Sequence, residues 1–258
     1  HFTCVKMPTF IPDKVITQDI VKAIAINAGV LSVQMPNAVT IEDHAFQECS
    51  GLTEVIMPKV TTIGMNAFYD CSNLTTVEMP KVETIEQHAF YRCAKLTNVE
   101  MSEVKTIRMS AFAYSGCNPG TLRNVETLGE YAFYGCGNLV NVNMPKVTTI
   151  GKGTFASCAK LTSVIMPEVT TIGGWAFEDC DALSVVNLPK VKTIGELAFV
   201  MCTALKQVNM PDAAYTAYNT NATAAAAAAA AGDAVPGQVW GWDGIILKRP
   251  QRKPALRF

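Results

Sequence analysis

The sequence predicts an α/β repeat: a solenoid of stacked coils with one short strand per 22-residue coil and short helical or irregular return segments. Two markers in one phase predict it. The dipeptide Ala-Phe recurs at Ala45-Phe46, Ala67-Phe68, Ala89-Phe90, Ala111-Phe112, Ala132-Phe133, Ala176-Phe177 and Ala198-Phe199, with Thr154-Phe155 in register; the steps are 22 residues apart from one of 21. Met-Pro or a close variant keeps the same phase at Met35, Met57, Met79, Met101, Leu122, Met144, Met166, Leu188 and Met210. Such self-similarity means supersecondary units that bury their apolar faces only by stacking on one another.

One unit, taken in order, runs Leu74-x-x-Val77-x-Met79-Pro80-x-Val82-x-Thr84-Ile85-x-x-x-Ala89-Phe90-x-x-Cys93. Val77 and Met79 alternate with Glu78, so a short strand puts the first two into the core and Glu78 into solvent. Pro80 has no N–H and closes the strand. Val82 and Ile85, then Ala89, Phe90, Cys93 and Leu96, are spaced by three and four, which suits a short helical turn with an apolar inner face. At ~4.8 Å per coil the stack extends about 40–45 Å.

The opening of the unit is the leucine-rich-repeat pattern L-x-x-L-x-L with Val and Met in the later slots. The whole unit resembles the BspA-like leucine-rich repeats of bacterial surface proteins. Leu161, Val164, Met166, Pro167, Val169, Ile172, Gly173, Ala176, Phe177 and Cys180 follow that pattern nearly position for position. The resemblance covers residues 31 to 212. The units are one residue shorter between Pro and Ile than the family pattern, and Met replaces the usual Ile or Leu after the strand. The resemblance implies the fold, and it implies cell-surface adhesion and recognition of host or microbial partners; no ligand-contacting motif is shared.

Four segments follow. Residues 1–30 read as a degenerate capping coil, with Ala23, Ile24, Val30 and Val33 in repeat slots, because an exposed terminal coil would show its core to water. The solenoid occupies 31–212. Residues 213–234, with eight consecutive Ala at 224–231, have no amphipathic period and read as a linker. Residues 235–258 read as a hairpin around Gly241–Gly244 that ends in a basic tail. One repeat is irregular: between Phe112 and Leu122 the chain is a residue short, and Cys117 and Gly120 hold the Leu and Val slots beside Pro119. The strand there is expected to be weakened or bulged, as a tolerated irregularity or as a bend or notch for a ligand.

A formal net charge of -1 argues against a basic nucleic-acid binder, and no apolar run is long enough to span a membrane. The opening His1-Phe2-Thr3-Cys4, without an initiator Met, predicts a processed or trimmed form from which any signal peptide is already gone. An extracellular or cell-surface location is what the resemblance implies. The oligomeric state is not fixed by the pattern.

Cys49, Cys71, Cys93, Cys136, Cys158, Cys180 and Cys202 share one slot, with Ser115 filling the eighth place, so a buried column of free thiols is expected rather than disulfides. No metal site or cofactor is expected, since no Cys/His cluster has zinc spacing and no phosphate or dinucleotide fingerprint occurs. His44 and His88 share a slot two coils apart and read as exposed return-segment residues. The threonines Thr40, Thr62, Thr84, Thr106, Thr127, Thr149, Thr171 and Thr193 read as a hydroxyl ladder that satisfies turn backbone.

The outward strand positions carry the functional expectation. One column reads Gln34, Ile56, Glu78, Glu100, Thr121, Asn143, Ile165, Asn187 and Asn209; its neighbour reads Ser32, Glu54, Thr76, Asn98, Pro119, Asn141, Ser163, Val185 and Gln207. The candidate ligand-binding residues are Glu54, Glu78, Asn98, Glu100, Asn141, Asn143, Asn187 and Asn209: hydrogen-bonding groups without an aromatic anchor, suited to a broad polar contact. Glu78 and Glu100 lie at a spacing that paired-carboxylate glycosidases use, but an open sheet supplies neither pocket nor raised pKa. A cation bridging Glu54, Glu78 and Glu100 is the other chemistry weighed. The expected function is therefore a non-enzymatic recognition or adhesion module for an extracellular protein or glycan; the alternative is a spacer solenoid that presents another domain.

Overall fold

The computed structural model describes residues 9–25, 31–211 and 213–214. It opens with β1 (Thr9–Phe10), β2 (Val15–Ile16) and α1 (Gln18–Ala25). Successive coils then supply β3 (Ser32–Gln34) and β4 (Thr40–Ile41), β5 (Glu54–Ile56) and β6 (Thr62–Ile63), β7 (Thr76–Glu78) and β8 (Thr84–Ile85), β9 (Asn98–Glu100) and β10 (Thr106–Ile107). After β11 (Thr127–Leu128) come β12 (Asn141–Asn143) and β13 (Thr149–Ile150), β14 (Ser163–Ile165) and β15 (Thr171–Ile172), β16 (Val185–Asn187) and β17 (Thr193–Ile194), and β18 (Gln207–Asn209). Every strand pairing is parallel, and within the regular coils a residue pairs with the one 22 further on, as Val55 does with Val77.

Two expectations need correction. The coils carry two short strands each, not one: the Thr-Ile pair after the Pro turn forms its own parallel ladder, with the Ile buried and the Thr at the surface. The return segments are not helical, so the solenoid is a parallel β-structure, and α1 lies in the segment before it. Spacings of three and four arise here from tight turns. Alternate amides are drawn to the next coil, His44 N to Met65 O, Phe46 N to Ala67 O and Glu48 N to Tyr69 O, while those between bond three residues back, as Gln47 N does to His44 O. Two residues per coil adopt left-handed backbone, for example His44 and Glu48 or Asn66 and Asp70, with φ between 53° and 61° across the non-glycine cases. That conformation costs about 1–2 kcal/mol per residue and rules out a continuous α-helix. The inter-coil hydrogen bonds offset the strain.

Within residues 9–25, β1 and β2 pair with β3 and β4, so both ladders extend into this N-terminal segment. Thr17 Oγ1 accepts from Ile20 N at 3.3 Å, capping α1, which takes the place of the Ala-Phe turn. Of the expected linker at 213–234 only residues 213 and 214 are described, and the expected C-terminal hairpin and basic tail at 235–258 lie outside the described residues.

The core is a set of side-chain columns. Phe46, Phe68, Phe90, Phe112, Phe133, Phe155, Phe177 and Phe199 stack with ring centroids 4.9 to 5.8 Å apart and planes within 17° of parallel. Beside them run buried Met or Leu, Val, Ile, Ala and Cys columns. The thiols do more than fill space: Cys71, Cys93, Cys136, Cys158, Cys180 and Cys202 each donate to the carbonyl of the Phe one coil earlier, at 2.9 to 3.2 Å. The hydroxyl bonds between coils come mostly from threonines other than the expected column, such as Thr53 to Leu31 O, Thr75 to Thr53 O and Thr162 to Val140 O.

The irregular coil interrupts the first sheet. β1-β3-β5-β7-β9 forms one sheet and β12-β14-β16-β18 another, with only a Thr121–Asn143 bridge from the intervening coil. Gly116 lets this coil press on its predecessor, where a Cβ would come within 2.7 Å of Ala94 O. Asn118 Oδ1 accepts from Val140 N at 3.3 Å, standing in for the backbone carbonyl that the regular coils present. Without a full strand alongside, Val99 is only partly buried, although its equivalents are core.

Candidate functional site

The register carries both outward columns as expected through each sheet. Ile56, Glu78 and Glu100 are successive partners, as are Asn143, Ile165, Asn187 and Asn209; Glu54, Thr76 and Asn98 run beside the first set. Because inward Val and outward polar residues alternate, each candidate side chain is set by the strand itself.

The structure divides the eight candidates into two groups. Glu54, Glu78, Asn98 and Glu100 lie on the sheet that ends at β9, and Asn141, Asn143, Asn187 and Asn209 lie on the sheet that begins at β12. Between them, Gly120 is exposed, adopts φ 70°, and a Cβ there would meet nothing within 4 Å, so the short coil interrupts the face with a residue that presents no side chain. The first half is acidic. The second is amide-rich and also exposes Ile165, 52% accessible, and Val185, 46% accessible. Ser32 Oγ donates to Glu54 Oε2 at 2.7 Å, and Gln207 Nε2 donates to Asn209 Oδ1.

Glu54 belongs to the column beside Glu78 and Glu100, not to theirs, and among the described residues no three His, Cys, Asp or Glu side chains converge to hold a metal. His44 and His88 both sit at left-handed turn positions; His44 Nδ1 lies 2.6 Å from Gln47 Oε1, and burial pushes the His88 imidazole down. The described cysteines are free, and burial raises the pKa of Cys71, Cys93, Cys117, Cys136 and Cys158; for Cys180 the neighbouring Cys202 thiol leads and burial adds to it. These thiols are neutral core groups rather than nucleophiles.

One cluster escaped the outward-column reading. Tyr91, Tyr114, Tyr131, Tyr134 and Trp175 gather on the turn side of the coils. The signal was present in the repeat phase: Tyr91 and Tyr134 follow the Phe column, and Tyr131 and Trp175 share the slot of His88.

Residues 26–122 and 107–222 match the sequence model of the BspA type leucine rich repeat region, in six copies. No curated protein matches the chain. Among solved structures, a leucine rich repeat protein of T. pallidum is 23% identical over 72% of this chain and 80% of its own, with a TM-score of 0.53. A leucine-rich repeat protein from Bacteroides ovatus is 21% identical over 80% of this chain and 73% of its own, with a TM-score of 0.48. A leucine rich cell surface protein from Faecalibacterium prausnitzii is 22% identical over 80% and 77%, with a TM-score of 0.39. These likenesses concern the fold, and no catalytic family is indicated. Among the described residues no helix is long and apolar enough to cross a membrane.

Proposed function

The chain belongs to the BspA type leucine rich repeat family, and from that premise we propose that it is a non-enzymatic recognition module, secreted or displayed on a bacterial cell surface, that binds an extracellular protein across its strand-lined face. The observation that carries this is the division of that face. An acidic half at Glu54, Glu78 and Glu100 and an amide half at Asn141, Asn143, Asn187 and Asn209 flank the break between the two sheets, with Ile165 and Val185 exposed among the amides. Apolar contacts ringed by hydrogen-bonding groups are the anatomy of a protein interface. The two glutamates in register favour a basic patch on the partner.

The test is a binding screen against extracellular-matrix and cell-surface proteins, with Glu78→Lys, Glu100→Lys, Asn143→Ala and Asn187→Ala combined in one control. A partner bound by the parent and lost by the combined variant supports the assignment. Undiminished binding by the variant moves the interface elsewhere, and a chain that captures no protein favours the spacer role.

A further inference from the structure

On the turn side of the solenoid the surface is indented by an open groove of about 520 Å³ that extends from His88 to Glu178. Its origin is a mismatch between neighbouring repeats. Tyr91 and Tyr134 occupy the slot after the core Phe, but Ala113 holds it in the coil between them; Tyr131 and Trp175 occupy the slot two before the Phe, but Ser110 and Gly153 hold it in the coils preceding each. Tall aromatic walls therefore alternate with a floor of small residues.

The walls are held in place. Tyr131 lies over Gly153, where a Cβ would come within 2.3 Å of the ring, and Tyr114 lies over Gly135, where the distance would be 2.8 Å. Both glycines also adopt positive φ, 56° and 68°. The rings meet edge to face: Tyr91 with Tyr114 at 5.6 Å, Tyr114 with Tyr134 at 5.1 Å and Tyr131 with Tyr134 at 6.0 Å. At the far end the Lys152 ammonium sits 4.9 Å from the centre of the Trp175 ring. The repeat does not require these rings, since Ala156 and Val200 fill the slot of Tyr134 and Asn66 and Leu197 that of Tyr131 in coils with the same backbone.

We infer that this groove is a second recognition site, distinct from the strand-lined face, and that it takes a neutral oligosaccharide. Aromatic faces suit the C–H faces of sugar rings, and the Tyr hydroxyls, Ser110, His88, Lys152 and Glu178 supply donors and acceptors for sugar hydroxyls. Lys152 and Glu178 carry opposite charges, so the groove selects for neither ionic sign. A peptide strand is disfavoured, because the local amides already bond to the next coil, Ser110 N to Glu130 O and Tyr114 N to Tyr134 O, leaving no edge to extend. Four coil steps give the groove a length of ~19 Å, enough for several sugar rings. The prepositioned rings lower the ordering cost of binding.

The experiment is isothermal titration of the full chain with cellohexaose, chitohexaose, maltohexaose and xylohexaose, each into the millimolar range. Tyr134→Ala combined with Trp175→Ala is the groove variant, and Glu78→Lys combined with Glu100→Lys is the strand-face control. Thermal unfolding of each variant checks that it is folded, as expected with the Phe column untouched. The expected result is binding of at least one hexasaccharide, weakened roughly tenfold or more by the groove variant and unchanged by the strand-face control. Absence of binding to all four sugars, or binding indifferent to the groove variant, overturns the assignment. Loss of a protein partner in the groove variant without any sugar binding also overturns it, and places the groove within a protein interface.

Discussion

Glu78 and Glu100 stand directly opposite each other in the parallel register of β7 and β9, and among the described residues neither forms an ion pair. Like charges facing each other across neighbouring strands are destabilising. Glu100→Gln keeps the shape and removes the repulsion. It is expected to raise the urea midpoint slightly while weakening capture of a basic partner, the opposite signs marking a residue kept for binding. A variant that is more stable and binds equally well would remove Glu100 from the interface.

Phe133 lies in the middle of the ring column, 5.4 Å from Phe112 and 5.8 Å from Phe155, and is fully buried. Phe133→Ala is expected to cost about 3–5 kcal/mol. Since each coil touches only its neighbours, the loss of amide protection should centre on this coil and those on either side and leave the distant coils protected. Hydrogen exchange followed coil by coil checks this. Uniform loss of protection along the chain would mean that the solenoid unfolds as one cooperative unit.

Much of this architecture was legible in the letters, because a buried slot repeated every 22 residues admits few alternatives. The outward columns came with it, since Glu78 between Val77 and Met79 has only one face to occupy. The second strand and the left-handed turns were hidden for a physical reason. Thr84-Ile85 is too short to show a strand period, and bulky residues such as Tyr131, Trp175 and Leu197 give no compositional warning that their φ is positive. The groove was hidden because it arises from differences between repeats, Ala113 against Tyr91 and Gly153 against Trp175, whereas the repeat reading attends to what is common.

Gly116 and Gly137 separate packing from backbone entropy. A Cβ at Gly116 meets Ala94 O at 2.7 Å and Leu96 O at 3.1 Å, while at Gly137 nothing lies within 4 Å. Gly116→Ala is expected to destabilise by about 1–3 kcal/mol, as backbone must shift to admit the methyl group. Gly137→Ala is expected to stabilise by about 0.4–1 kcal/mol through the unfolded chain. Thermal unfolding of the two variants gives the comparison, and a harmless Gly116→Ala would show that the irregular coil is not pinned against the one before it.

Cys136 donates its thiol to Phe112 O at 3.0 Å and is fully buried, and that burial pushes its pKa from 9.0 up to about 12. The folded chain therefore holds the thiol neutral where the unfolded chain ionises it. The contribution of this group to stability is complete below pH 9 and declines as pH rises towards the folded value, by about 1.4 kcal/mol per pH unit for each such thiol. Ser115 already fills the equivalent slot one coil earlier and lies 3.6 Å from Cys136 Sγ, so a hydroxyl is tolerated in the column. Cys136→Ser removes the titration and keeps a donor. Its stability loss at pH 7, measured by urea unfolding, should shrink at pH 10 as the parent loses the thiol's contribution and the variant does not. A loss of equal size at both pH values would mean that the thiol ionises alike in the folded and unfolded chain.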